Sequence, residues 1–426
     1  MISDDILKQC FDNNRMASLI DRFAQIGRDQ SGGVTRLAFS NEDRIGRDEF
    51  IKILNNEFKL KVRIDSLGNI FARREGMLNN WPVIMTGSHL DSVRNGGKYD
   101  GPAGVFSSLE VFRALDLLNI ETYHPLELCV LSSEEPNTFG ISTFGSRGMT
   151  GTLKKEHVEH LRDDHGQEFT TALKNIGGDI NRIHEAVRKQ SEIKYFIELH
   201  IEQMPFLSAE NKDIGIVEGV TGIYRESITV TGIASHCGTT PMDRRQDALC
   251  AASEIILEVE NAALEESGEA VATVGHMKIF PNSINITPGK IILDMEVRSY
   301  YAKRIQTIIQ KVENRIEQIK KLRHIDIKRQ ETYNTKPIQF SSTVTEAIGE
   351  AAESLGFKTR KVVSMAGHDA AHLSRITKAG MIFIPCKDGI SHCPEEFTET
   401  ESIVKGAQCL LKTILLLDRK KGGASS

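Results

Sequence analysis

Short, mainly apolar runs alternate along this chain with longer stretches whose apolar residues recur at helical spacing. Residues 83–86, Leu126–Leu131 and residues 195–199 are too short for buried helices and, apart from Thr86, Glu127 and Glu198, too apolar for half-exposed strands. They predict strands buried on both faces. Residues 43–58 carry apolar positions at helical spacing behind the polar Ser40-Asn41-Glu42, which predicts a helix starting there. Residues 62–71 read as strand around the turn Ser66-Leu67-Gly68-Asn69. This alternation over the first 200 residues predicts an α/β unit, its sheet covered by helices. In such units the working side chains sit on loops at strand ends.

After about residue 213 the pattern changes. Ile214–Val220 and residues 225–230, 271–280 and 291–297 predict strands, with helices over 244–264 and 302–322. The order suggests a compact α+β module of ferredoxin-like type. From Ser342 onward a helix over 344–355, a strand over 381–385 and a closing helix to about Leu417 are expected. The organisation read from this is a catalytic α/β domain split into residues 1–213 and 335–426. The α+β module is inserted between them at 214–334.

Composition narrows the class without naming a function. The 426 residues are 40% hydrophobic and 26% charged, as in globular proteins, and the net charge is −5. That balance gives no electrostatic case for nucleic acid or an anionic membrane, and the basic tail at residues 419–421 reads as a solvated terminus. No apolar run is long enough for a transmembrane helix, and residues 1–10 lack the pattern of a signal peptide. The seven cysteines are an odd number without a Cys-x-x-Cys pair, which fits a reducing compartment, the cytoplasm by default.

Four segments carry the candidate chemistry. Gly87-Ser88-His89-Leu90-Asp91 follows the first buried run and leads into a glycine-rich loop holding Asp100. A neutral imidazole is a good ligand for a borderline divalent metal, and a neighbouring carboxylate such as Asp91 can hold its second ring nitrogen. Ser132-Ser133-Glu134-Glu135-Pro136 follows the second run; buried adjacent acids need a cation or strong donors. One of them can ligate while the other takes a proton from water. Glu198-Leu199-His200-Ile201-Glu202-Gln203 and Gly389-Ile390-Ser391-His392-Cys393-Pro394-Glu395-Glu396 follow two further runs. Two ions sharing Asp100, one completed by His89 and His200 and the other by Glu135 and His392, would use each ligand once. The mixed nitrogen and oxygen donors suit Zn²⁺ best, with Mn²⁺, Co²⁺ or Ni²⁺ possible. In the inserted module, His236 lies in an irregular polar loop and can stabilise an oxyanion, and Asn285 offers an amide donor. Arg298, at a strand end, can bind a carboxylate with a bidentate fork.

These segments together resemble the amidase/carbamoylase branch of the M20 metallopeptidase-like proteins. That branch includes N-carbamoyl-L-amino-acid hydrolases, allantoate amidohydrolases and ureidoglycolate amidohydrolases. The likeness runs from Ser31-Gly32-Gly33-Val34-Thr35-Arg36 past Ser391-His392 and is most specific at residues 87–105, 198–203, 235–242 and 367–370. It implies a zinc-peptidase-like catalytic domain with a central sheet flanked by helices, and an inserted α+β ferredoxin-like lid/dimerisation domain. It implies two divalent ions per subunit on His89, Asp100 (bridging), Glu135, His200 and His392, with Glu134 as general base. Asp91 then supports His89, while His236, Asn285 and Arg298 handle substrate, the first two serving the neighbouring subunit of a homodimer. Gln203 and His368 match further active-site positions.

The expected reaction is attack of a metal-activated water on a carbamoyl or ureido carbonyl of a small carboxylate, releasing ammonia and CO₂. A lid would close over substrate by a hinge near residues 213 and 334. Met204, Cys237, Cys393 and Pro136-Asn137-Thr138 depart from the common pattern. The Glu134-Glu135-Pro136 form and residues 381–386 lean towards the ureide-degrading members, whereas residues 238–242 keep the carbamoylase and allantoate version. A dipeptidase or aminoacylase on the same scaffold is the remaining enzymatic alternative.

Overall fold

The computed structural model describes residues 4–268 and 270–419. Residues 1–3 of the N-terminal segment and Lys420 and Lys421 of the basic tail lie outside them. The chain divides into two compact units: one from residues up to Glu218 with Phe340–Val362 and Gly367–Ser426, the other from Gly219–Gln339 with Val363–Ala366.

The first unit begins its sheet with β1 (Lys61–Ile64) and β2 (Ile70–Arg74), an antiparallel hairpin. Asp65 closes the turn by accepting the N–H groups of Leu67 and Asn69 at 2.9 Å. The three apolar runs form β3 (Val83–His89), β4 (Leu126–Leu131) and β5 (Ile193–Ile201), and every residue of β3 and β4 is buried. The helix Asn41–Asn56 starts where the polar triplet placed it, because Ser40 Oγ accepts the Asp43 N–H. β6 (Ile214–Val220) ends this part of the chain.

The second unit contains β7 (Gly222–Thr231), β8 (Ser235–His236), β9 (Ala270–Phe280), β10 (Ile286–Thr287), β11 (Lys290–Ser299), β12 (Asp326–Thr335) and β13 (Ile338–Gln339). Its four long strands make an antiparallel sheet in the order β12-β7-β11-β9, with helices Ala248–Leu264 and Ala302–Arg323 between them in sequence. This is the ferredoxin-like arrangement. Alternate residues of β11 (Ile291, Leu293, Met295, Val297) pack with Ile255, Val259, Ile308, Val312 and Ile316 of the helices.

Three details of the sequence reading need correcting here. The fourth strand of the module is Asp326–Thr335, which the apolar pattern missed because it is an edge strand with Ile327 as its one fully buried residue. Ile214–Val220, read with the module, pairs through Gly215, Ile216 and Val217 with the sheet of the first unit. The helix expected from residue 244 begins at Ala248, where Asp247 accepts the N–H groups of Leu249 and Cys250.

The chain returns to the first unit with β14 (Thr359–Ser364) and β15 (Lys378–Ile384). The large sheet runs β1-β2-β4-β3-β5-β15-β6, with β14 also pairing β6. The central strands β4, β3, β5 and β15 are mutually parallel, so His89, Leu131, Ile201 and Ile384 end along one edge. Helix Pro102–Leu117 covers β3 and β5, and Thr400–Arg419 packs on it with Phe106, Leu109, Phe112, Leu410, Leu411 and Ile414 fully buried. Each such side chain contributes about 1.5–3 kcal/mol relative to exposure, which makes this face a stiff support for the loops above it.

Arg36 ties the loop after β3 to the N-terminal helix Asn13–Ala24. Its guanidinium is buried and donates to Leu90 O at 2.6 Å, Phe23 O at 2.8 Å and Ile26 O at 2.9 Å. Burial pushes its pKa down to about 10, against the attraction of Asp43 and Asp91.

Candidate metal centre and active site

The C-terminal edge of the parallel strands gathers the site residues of the first unit. His89 is the last residue of β3 and His200 lies near the end of β5. Glu134 and Glu135 follow β4, and His392 stands on the loop after β15 with φ of 62°. Asp100 lies just before helix Pro102–Leu117. Gly101 between them has φ of +81°, and a Cβ there would come within 2.5 Å of the His89 ring. The tight turn that brings Asp100 to His89 therefore needs glycine.

The two oxygens of Asp100 face different partners. Oδ1 is 3.0 Å from His200 Nε2 and 3.5 Å from His89 Nε2. Oδ2 is 3.4 Å from His392 Nε2, which in turn is 3.0 Å from Glu135 Oε1. Donor atoms of His89, Asp100 and His200 lie within 4.8 Å of one another, as do those of Asp100, Glu135 and His392. Both groups are the ones the sequence spacing suggested.

The donor set fits divalent cations. His89 Nδ1 lies 3.0 Å from Asp91 O and His200 Nδ1 lies 3.0 Å from Ile201 O. Those carbonyls accept from Nδ1–H, so in the neutral rings the Nε2 lone pairs face the cluster. His89 Nε2 is buried and makes no hydrogen bond with the described residues. The charge balance points the same way. Burial opposes the ionisation of Asp100, but His200, His392 and His89 hold it well below the usual carboxylate range. Hydrogen bonds to Asp100 and Glu135 push His392 up to about 11. Without an ion, protonated imidazoles would be the counter-charge to the buried carboxylates; a divalent ion held by these residues would supply that charge and leave the rings neutral.

Glu134 stands beside the cluster and in neither donor group. Its Oε2 is 3.9 Å from His89 Nε2. Burial pushes its carboxyl well above the ordinary range; His89 opposes this, while Glu135, Asp369 and Asp100 add to it. A carboxylate of raised pKa is a competent proton acceptor near neutral pH.

Asp91 meets His89 with two groups. Its carbonyl oxygen lies 3.0 Å from His89 Nδ1, and its carboxylate Oδ1 lies 3.8 Å from the same nitrogen. The carboxylate also accepts the backbone N–H of Glu134 at 3.3 Å and of Glu135 at 3.0 Å, fixing the loop that carries both acids. Gln203 Nε2 donates to Asp100 Oδ2 at 2.6 Å, so in this structure it orients a candidate ligand. The His368 ring is buried and packs edge-on to His200 at 4.7 Å. Burial, with His200 and His89 nearby, drives its pKa well below the ordinary value.

His236, Asn285 and Arg298 belong to the second unit. His236 Nδ1 accepts the N–H groups of Gly238 at 3.0 Å and Thr239 at 3.3 Å, so the neutral ring carries its proton on Nε2 as a donor. Asn285 stands beside it on the β8–β10 ribbon, where Cys237 N donates to Asn285 O at 3.1 Å. Its side-chain oxygen is taken by Ser283 Oγ at 2.8 Å, leaving the NH₂ to present. Arg298 already has partners in its own unit: Glu296 Oε1 and Met365 O, both at 2.6 Å. An incoming carboxylate must share the fork with Glu296.

Sequence reasoning missed three supports of the site. Glu198 accepts Ser88 Oγ at 2.7 Å and Ala370 N at 2.9 Å, joining β5 to the Gly367–Ala370 segment. Arg36 holds the Leu90 carbonyl, and Glu396 binds the Asp100 loop. Each is polar and buried, but sequence alone does not reveal burial at a loop or strand end.

Among the described residues no helix is long and apolar enough to cross a membrane, and all seven cysteines are free. Residues 85–416 match the peptidase family M20/M25/M40. The chain is 35% identical to an N-carbamoyl-L-amino-acid amidohydrolase of Pseudomonas sp. (strain NS671), covering 94% of this chain and 97% of that protein. It is 33% identical to an allantoate amidohydrolase of Bacillus subtilis (strain 168), over 93% and 96%. A crystal structure of an amidase of the hydantoinase/carbamoylase family from Burkholderia multivorans superposes with a TM-score of 0.86 at 35% identity, over 95% of this chain and 98% of that one. The chain therefore belongs to the M20/M25/M40 peptidase family and is a hydrolase of its amidohydrolase kind.

Proposed function

We propose that this protein hydrolyses the carbamoyl or ureido C–N bond of a small carboxylate, an N-carbamoyl-L-amino acid or allantoate, and releases ammonia and CO₂. The observation that carries the reading is the division of Asp100: one oxygen towards His89 and His200, the other towards His392 and Glu135, with Glu134 beside both groups. In this reading His89, Asp100 and His200 hold one divalent ion and Asp100, Glu135 and His392 a second, Zn²⁺ or Mn²⁺. Such ions, when bound, polarise the carbonyl and lower the pKa of water.

The remaining work falls to side chains. Glu134 takes the proton of the attacking water and returns it to the leaving nitrogen. His236 donates from Nε2 to the developing oxyanion. Asn285 and Arg298 hold the substrate carboxylate, with Arg298 released in part from Glu296. The second unit then serves as lid and dimerisation domain, and the protein works as a cytoplasmic homodimer. A second reading, ureidoglycolate as substrate, is favoured by the Glu134-Glu135-Pro136 sequence and by residues 381–386.

The test is a panel of allantoate, ureidoglycolate, several N-carbamoyl-L-amino acids and dipeptides on metal-reconstituted protein, read by ammonia release or by peptide cleavage. Ammonia from a carbamoyl or ureido acid supports the reading and names the substrate. Cleavage of dipeptides alone sinks it. Sedimentation of the same sample reads the dimer.

A further inference from the structure

Glu396 is almost fully buried and lies four residues after His392, yet it belongs to neither donor group. Both its oxygens are engaged, and each points back to Asp100. Oε1 accepts the backbone N–H of Tyr99 at 2.8 Å and of Asp100 at 3.1 Å. Oε2 is 2.8 Å from Ser391 Oγ, which is also 2.8 Å from Asp100 Oδ2. Glu396 therefore meets Asp100 twice: its Oε1 accepts the main-chain N–H, and its Oε2 lies against the Ser391 hydroxyl, whose single proton can be donated to Asp100 Oδ2 or to Glu396 Oε2, one at a time. Gly97 packs directly against it: a Cβ there would lie 2.0 Å from the Glu396 carboxyl carbon. The loop before Asp100 is shaped around this acid.

We propose that Glu396 is a positioning residue that clamps Asp100, through Tyr99 N, Asp100 N and Ser391 Oγ, in the orientation that lets its two oxygens serve separate sides of the site. The proposal rests on the two-ion reading above. Carboxylate bridging is directional: rotation of Asp100 about its side-chain bonds would move Oδ2 away from His392 and Glu135 while leaving the main chain in place. Ser391 resists that rotation, and the two N–H bonds to Glu396 fix the axis about which it would occur. Partners that orient a metal ligand typically change affinity or activity by about 10–100-fold when removed.

The experiment measures Zn²⁺ or Mn²⁺ uptake by equilibrium dialysis on the full chain, with melting of the metal-free protein and turnover recorded alongside. Ser391→Ala cuts the side-chain arm alone and is expected to weaken one of two ions about tenfold, the other keeping its affinity. Glu396→Ala removes both arms and is expected to lower ion affinity and kcat by about 10–100-fold. Glu396→Gln keeps an oxygen for the two N–H groups and an NH₂ for Ser391 Oγ, and is expected to stay within about threefold of wild type. Glu396→Gln as impaired as Glu396→Ala, or Ser391→Ala with wild-type affinity for both ions, overturns the clamp. If Glu396→Ala does not fold, Ser391→Ala and Glu396→Gln still decide. Wild-type protein that binds one ion overturns the two-ion reading alone, and the variants at that ion decide the clamp. Protein that binds no ion overturns both.

Discussion

Replacing Glu134 with Gln keeps the shape of the side chain and removes its basicity. The backbone N–H of residue 134 remains bonded to Asp91 Oδ1, and the donor atoms of His89, Asp100, Glu135, His200 and His392 are untouched. What is lost is a proton acceptor. A positioned general base contributes about 10²–10⁴-fold, or about 2.7–5.4 kcal/mol of barrier. kcat should fall by that factor while KM changes by less than about threefold, the pattern of a group acting only in the transition state. The fold should not suffer. Burial, with repulsion from Glu135, Asp369 and Asp100, already holds this carboxyl well above its ordinary range, so removing it relieves crowding. The assay is ammonia release from the substrate found in the panel, with bound metal counted on the same sample. Turnover within tenfold of wild type would refute the role of Glu134 as base. Loss of metal together with activity would make it a ligand instead, and would refute the division of labour between Glu134 and Glu135.

Three further outcomes test the framework. Burial raises Asp369 to about 8, and Glu396 and Glu202 to about 7. The folded chain thus retains protons that the unfolded chain releases, and the metal-free protein loses stability as pH rises from about 4 to about 8. His392, raised to about 11, has the same sign: its contribution is complete below its ordinary value of 6.5 and declines towards 11. The Tm of chelated protein should fall between pH 5 and 8, and added Zn²⁺ should restore it most at the alkaline end; a rising Tm contradicts this. Arg36→Ala leaves two buried carbonyls and one part-buried carbonyl without their donor, and chemical denaturation should show a loss of about 2–4 kcal/mol. A loss under about 1 kcal/mol would mean those carbonyls find other partners. Gly101→Ala forces a Cβ against the His89 ring at a backbone angle hostile to side chains, so metal affinity should drop at least about tenfold in dialysis, and unchanged uptake would show that the turn can yield.

The strands that carry the site were legible because they are covered on both faces. A strand buried on both faces is mainly apolar, so β3, β4 and β5 stand out as runs despite Thr86, Glu127 and Glu198, and their ends mark where His89, Glu134 and His200 emerge. Edge strand β12 had no such constraint. With solvent beside it, Asp326–Thr335 carries mostly polar residues and gave no pattern to read.

The sequence by itself determined which histidines and acids follow the buried strands, and strand ends in one parallel sheet meet at one edge, so these side chains gather around Asp100. Only the tertiary structure decided which atom does what. It brought the carbonyl of Asp91 nearer to His89 than its carboxylate, and gave Arg298 a carboxylate partner in its own sheet. It also placed the carboxylate of Glu396 on the N–H groups beneath Asp100. Such choices depend on loop dihedrals and on which buried polar group finds which partner. Those are settled by distances of tenths of an ångström, for Glu396 and Asp100 between segments 296 residues apart, and no local pattern encodes them.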